Sequence, residues 1–150
     1  DRIVEMGRHG QKNGMGWYKY AEGSRTPEPD PEIAKLVESV SAEMGITRRD
    51  VTDQEIMERC MYTLINEGAK ILEEGIATRP SDIDLVWVHG YGYPIGKGGP
   101  MFFADLTGVD KIHETMKRLH DAHGDLLRPA ALLEELAMSG KSFADYQSKK

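Results

Sequence analysis

The residues best placed to do chemistry lie in one stretch, SDIDLVWVHGYGYPIGKGGPMFFAD, at residues 81–105. Gly90-Tyr91-Gly92 has the spacing that opens a dinucleotide-binding loop. Such a loop needs GxGxxG directly after a strand, with a helix starting at its second glycine, so that backbone N–H groups aim at a pyrophosphate. The sequence departs from that requirement three times. Ile95 stands where the third glycine belongs, and Gly96, Gly98, Gly99 and Pro100 make a helix from Gly92 too costly, at about 1 kcal/mol for each interior glycine. No second strand follows to complete a βαβ unit. Asp110 stands near the place of a ribose-binding acid, but with the other parts missing it carries no argument. The other reading is packing. Glycines let backbones approach closely, Pro94 and Pro100 stiffen the loop, and Met101, Phe102 and Phe103 offer an apolar face for an interface or an internal contact.

Other reactive types lack convergent partners. His113, His120 and His123 fall on one predicted helix, but a zinc site needs three or four ligands and no HExxH or cysteine pattern assists. Histidines at a helix C-terminus also suit its dipole. Asn66 and Glu67 interrupt an apolar stripe, where a buried amide can tie helices together; a catalytic role would need partners the sequence does not offer. GxSxG is absent. The single cysteine, Cys60, sits in a helical apolar pattern and reads as a small buried hydrophobe.

Around these residues the chain reads as helical. Residues 1–29 form a distinct arm, in which GRHGQKNGMGWYKY alternates glycine with basic residues before Trp17, Tyr18 and Tyr20; it suits an extended piece ending in a proline-bearing linker. Asp30-Pro31 starts a helix carrying Ile33, Leu36, Val37, Val40 and Met44, closed by Gly45. Thr52 and Glu55 form a capping box for the longest helix, with Ile56, Met57, Cys60, Met61, Leu64, Ile65, Ile71 and Leu72 inward. Ser81 and Asp84 predict another box and a short helix ending near Gly90. Pro100 opens one or two turns, Asp110 caps a helix closed by Gly124, and Pro129 starts a last helix closed by Gly140. The sum is an all-α, compact multi-helix fold with an N-terminal extended arm.

With 150 residues the chain suffices for one domain plus an arm, and its net charge of -6 argues against a nucleic-acid partner. The basic pairs Lys117-Arg118 and Lys149-Lys150 read as solvated surface. No apolar run reaches the ~18 residues of a membrane span, so a soluble protein is expected, and the lack of CxxC fits a reducing compartment. An opening Asp1 in place of Met reads as part of something longer.

Three stretches together resemble a known family: GQKNGMGWYKY at 10–20, NEGAKILEEGIATRPSDIDLVWVHGYGYPIGKGGPMFFAD at 66–105, and SGKSF at 139–143. They are similar, in order, to the C-terminal region of 3-hydroxyacyl-CoA dehydrogenases, in the long form of bifunctional enoyl-CoA hydratase/3-hydroxyacyl-CoA dehydrogenases of fatty-acid β-oxidation. Asp105 is the Asp that closes the GGP…D pattern. The resemblance implies that residues 1–29 end a first helical C-terminal domain and residues 30–150 form a second. It implies an upstream Rossmann domain that holds NAD and a catalytic His–Glu pair, neither of which has a counterpart here. This piece would hold no cofactor and no catalytic residue. It would pack on the Rossmann and first helical domains and shape the acyl-CoA cleft.

His89 occupies the position before the loop where bifunctional forms carry a tyrosine facing substrate, which makes it the expected substrate contact. Interface or packing roles are expected for Asn66, Glu67, Gly90, Gly92, Pro94, Gly98, Gly99, Pro100, Met101, Phe102 and Asp105. The alternative is a stand-alone helical module that forms a homodimer through the face around Met101 and Phe102. Since Ser-Lys-Lys is not the peroxisomal Ser-Lys-Leu address, a bacterial cytoplasmic location is expected.

Overall fold

The computed structural model describes residues 1–147; the Lys149-Lys150 pair and the Ser-Lys-Lys ending lie outside the described residues. It divides into two compact units, Asp1–Asp50 and Val51–Lys150. Helix α2, Pro31–Glu43, therefore belongs to the same unit as the arm.

In the first unit a four-residue helix, α1 (Arg2–Glu5), precedes the glycines. The rest of the arm is not extended throughout: a 3-10 turn at Gln11–Asn13 is followed by turns, crossed by isolated bridges from Gly10 to Met15, Met15 to Lys19 and Lys19 to Glu28. Helix α2 starts as its sequence dictates: the Asp30 carboxylate accepts the Glu32 N–H at 3.0 Å, with Pro31 in the first turn. The same carboxylate holds the arm. Arg8 donates to Asp30 at 2.6 Å and to the Gly16 carbonyl at 2.9 Å, and both partners of the ion pair are buried. Burying two charges is tolerable only where hydrogen bonds satisfy them, and here Glu32 and Lys19 add contacts at 3.2 and 3.3 Å. Burial would raise the Asp30 carboxyl, but Arg8, the Glu32 amide and Lys19 overcome it and hold the group below the ordinary carboxylate range.

The second unit is built on α3, Asp53–Glu73, the longest helix among the described residues. Around it stand α4 (Pro80–Gly90), α5 (Pro100–Thr107), α6 (Val109–His123) and α7 (Ala131–Ser139), with no strand among the described residues. The core joins Tyr62, Ile65 and Leu72 of α3 to Met101 of α5, Met116 of α6 and Leu133 of α7. The Thr52 hydroxyl accepts the Glu55 N–H at 3.2 Å, while the Glu55 carboxylate pairs with Arg59 at 3.0 Å.

The buried stripe of α3 differs from the expected one. It runs through Tyr62, Ile65, Asn66, Gly68, Ala69 and Leu72, whereas Ile56 and Cys60 are exposed. Cys60 is thus no buried hydrophobe, since it lies across the helix from Tyr62 and Ala69. The stripe is rotated because α5 comes close: a Cβ on Gly68 would meet the Met101 Sδ at 2.6 Å. Small residues mark that face, and hydrophobicity alone does not rank them highly. Within the core the Tyr62 hydroxyl has no hydrogen-bond partner among the described residues; burial, then the nearby Glu58 charge, pushes its pKa up.

Helix starts also differ. No Ser81/Asp84 box forms, because Pro80 already occupies the first turn behind Arg79. Asp110 lies inside the first turn of α6, one residue past Val109, and Gly108 is the cap position. The last helix begins at Ala131 rather than Pro129, with Ala130 at its cap position.

An acid with a depressed folded pKa adds stability above its unfolded value, about 3.9, and loses it as pH falls through the lower folded value. Asp30→Asn keeps a good helix cap but removes the charge. The variant is expected to melt lower than the unmodified chain at about pH 7, with the gap narrowing as the pH falls below about 3.9. Thermal melts followed by circular dichroism check this, and a gap independent of pH would contradict it.

Candidate functional site

The second unit has a recurring local problem. Helices α5 and α7 have Gly99 and Ala130 at their N-cap positions, residues with no side-chain acceptor for the free N–H groups of a first turn. Other helices supply the acceptors. Asp84 of α4 accepts the Met101 N–H at 2.7 Å and the Phe102 N–H at 3.1 Å. Asn66 of α3 accepts the Ala130 N–H at 2.7 Å and donates through Nδ2 to the Arg128 carbonyl at 2.9 Å. Glu73 accepts the Leu132 N–H. Asp105 accepts the Phe143 and Ala144 N–H groups at 2.6 and 2.9 Å and so docks the C-terminal segment onto α5. Ser142 and Asp145 add a capping box there.

The glycine loop fits around one of these caps. Gly98 and Gly99 have φ of 76° and 109°, and Gly99 is buried. A Cβ on Gly99 would run into the Asp84 carboxylate, and one on Gly98 into the Phe102 ring. Gly99 therefore lets α4 and α5 meet, while Gly98 leaves room for the Phe102 ring of α5 itself. Gly90 and Gly92 do not serve this purpose, since nothing lies within 4 Å of a Cβ at either. Gly90 ends α4, and Gly92 lies in the turn where the Tyr91 and Tyr93 N–H groups both reach back to the Trp87 carbonyl. Pro94 precedes a single 3-10 turn, Ile95–Lys97.

Asp84 is partly buried. Burial raises its pKa above the ordinary value; the Met101 and Phe102 amides oppose that rise, and the Asp105 charge adds to it. Its charge, after burial, also raises the Tyr93 hydroxyl. Neither Asp84 nor Glu73 stood out in the sequence as a functional residue. The signal for Asp84 was a helix opening on Gly-Gly-Pro with no cap of its own.

The remaining expected positions are spread out. Asn66 and Pro100 are buried, and Met101 is a core residue at 1% exposure rather than part of an outer face. Phe102 is 51% exposed, and Phe103 packs against the core. Glu67 is exposed and paired with Lys70 at 2.6 Å, so it has no part in the Asn66 network. His89 is exposed in the last turn of α4. His120 pairs with Asp125 at 2.9 Å and His123 with Arg59 at 2.9 Å, so the two face different partners. Among the described residues, no group of three or more His, Cys, Asp or Glu could hold a metal ion. Among the described residues, no helix is long and apolar enough to cross a membrane.

What the arrangement can do is hold helices at fixed positions through shared polar anchors. The family profile of the 3-hydroxyacyl-CoA dehydrogenase C-terminal domain matches residues 56–145. The chain belongs to that family. It is 43% identical over 93% of its length to a peroxisomal bifunctional enzyme from Danio rerio, covering 20% of that protein. It is 37% identical over 95% of its length to the fatty acid oxidation complex subunit alpha of Shewanella loihica, covering 19% of it. Its fold matches the dehydrogenase part of multifunctional enzyme 1 from C. elegans with a TM-score of 0.66 at 28% identity, over 89% of this chain and 31% of that one. The chain thus spans about a fifth of the length of the curated relatives it matches.

Replacing a side-chain helix cap by alanine costs about 0.5–2 kcal/mol, and Asp84→Ala is expected to fall in that range. Gly99→Ala should cost more, because it adds left-handed strain to a clash with the same carboxylate. Urea unfolding of both variants checks the order; a Gly99→Ala variant as stable as the unmodified chain would contradict it.

Proposed function

We propose that this chain is the C-terminal, non-catalytic part of a longer NAD-dependent 3-hydroxyacyl-CoA dehydrogenase of fatty-acid β-oxidation. The parent would oxidise a 3-hydroxyacyl-CoA to the 3-oxoacyl-CoA, and the relatives named bifunctional favour a hydratase on the same polypeptide. The observation that carries this reading is the set of borrowed caps. Asn66, Asp84, Gly98-Gly99-Pro100 and Asp105, the residues of the family-like stretch, are spent on helix placement.

The residues present do not fit NAD. The glycine loop follows a helix rather than a strand, and its second glycine opens a turn instead of a helix. No hydride-transfer step is therefore assigned to this chain, and NAD would be held upstream. The role left to it is to pack against the Rossmann and first helical domains and to close one side of the acyl-CoA cleft. His89, exposed at the end of α4, would reach the substrate there. In domain terms, residues 1–29 would complete the first helical domain and residues 30–150 would form the second. The compartment proposed is the cytoplasm, set against relatives named peroxisomal; fluorescence imaging of the tagged parent decides it.

A second reading has one observation in its favour. Phe102 and Leu106 are both exposed and lie one turn apart on α5, which would suit a stand-alone module that dimerises there. Sedimentation equilibrium separates the two, since a monomer at all concentrations removes the second.

Assayed by NADH consumption with acetoacetyl-CoA, the parent is expected to turn over and the 150-residue chain to give the blank rate. In the parent, His89→Ala should raise KM by about threefold or more with kcat little changed. Turnover by the short chain, or none by the parent, would overturn the proposal.

A further inference from the structure

The unit Asp1–Asp50 holds one buried hydrophobic residue, Ile33. Its helix α2 nevertheless carries a full apolar stripe, with Leu36, Val37, Val40 and Met44 after Ile33 at helical spacing. Those four side chains line an open groove of about 1400 Å³, and Ile3 of α1 and Ile46 line it as well. Met44 is 68% exposed. A stripe of this kind normally faces a core, and a unit of this size with a single buried hydrophobe has none of its own. The groove walls are nonetheless set, because the buried Arg8–Asp30 pair ties the arm to the first turn of α2.

We propose that this groove is the seat of the parent polypeptide ahead of Asp1, which lays an apolar helical face on α2. The inference rests on the proposed function, in which such a polypeptide exists. Three observations select that occupant. The family match begins at residue 56, so Asp1–Asp50 stands outside the matched segment. The D. rerio relative aligns over 93% of the chain, too much to omit a unit of this size, so that unit recurs in the longer protein. The matched segment is by its description a C-terminal domain, which puts most of the remaining four-fifths of the relative's length ahead of it. The stripe thus extends the first helical domain to include α2, beyond the arm that the family resemblance marked.

Cysteine accessibility tests this. Val40→Cys and Met44→Cys are made in the 150-residue chain and in the parent, with Lys35→Cys on the opposite face of α2 as control. Maleimide labelling is read at each position by mass spectrometry, which separates it from exposed Cys60. Both groove thiols are expected to label at least about tenfold more slowly in the parent than in the short chain, with Lys35→Cys unchanged. Equal rates in the two proteins would overturn the proposal. So would slow labelling in the short chain at high dilution, which would mean that its own later residues cover the groove. Protection in the short chain that grows with its concentration would overturn it in favour of a second copy. An active parent with unprotected groove thiols sinks this inference alone. A protected groove in a parent without dehydrogenase activity sinks only the proposed function.

Discussion

Every helix leaves the N–H groups of its first turn without partners inside the helix. In the second unit that deficit decides how the helices meet. Helices α5 and α7 open on residues that cannot cap themselves, and their first-turn amides are satisfied from α4 and α3. Each borrowed cap is a polar contact between two helices that tolerates little displacement, because a shift would strand amides away from water. Hydrophobic burial around Tyr62, Ile65 and Leu133 drives the helices together without fixing their register. The carboxylates and the amide do fix it, by acting at defined atoms.

The small residues follow from the same constraint. Asp84 reaches the start of α5 only because Gly99 presents bare backbone to it. Gly68 admits the Met101 thioether between α3 and α5, which in turn rotates the buried face of α3. Gly90 and Gly92 resemble these glycines in sequence but serve a chain reversal after α4, with open space around them. A glycine-rich run thus divides into two parts with different physical roles, and neither part has the strand-to-helix geometry that cradles a diphosphate.

In the first unit the order is reversed. There is almost no buried apolar surface, and one buried ion pair holds arm and helix together. Such a pair contributes little net stability against a well-packed apolar alternative, but breaking one partner is costly. The pair sets the geometry of an apolar helix face that the unit itself leaves uncovered. The relatives it matches are about five times longer than this chain.

The sequence by itself determined the class of fold and most helix ends. Apolar spacing marks α2, α6 and α7, and Asp30-Pro31, Thr52, Gly124 and Gly140 stop or start helices through local backbone chemistry that needs no distant partner. The family was also legible, because its motif residues are close together in the chain. Only the tertiary structure decided which of them touch. Asp84 looked like a cap for its own helix and caps another, 17 residues away, and Asn66 closes on a backbone more than 60 residues on. Cys60 looked buried and is exposed, because a helix pattern gives a face but not the neighbour that covers it. Local rules reach one turn along the chain; a hydrogen bond across helices depends on the packing of all of them at once.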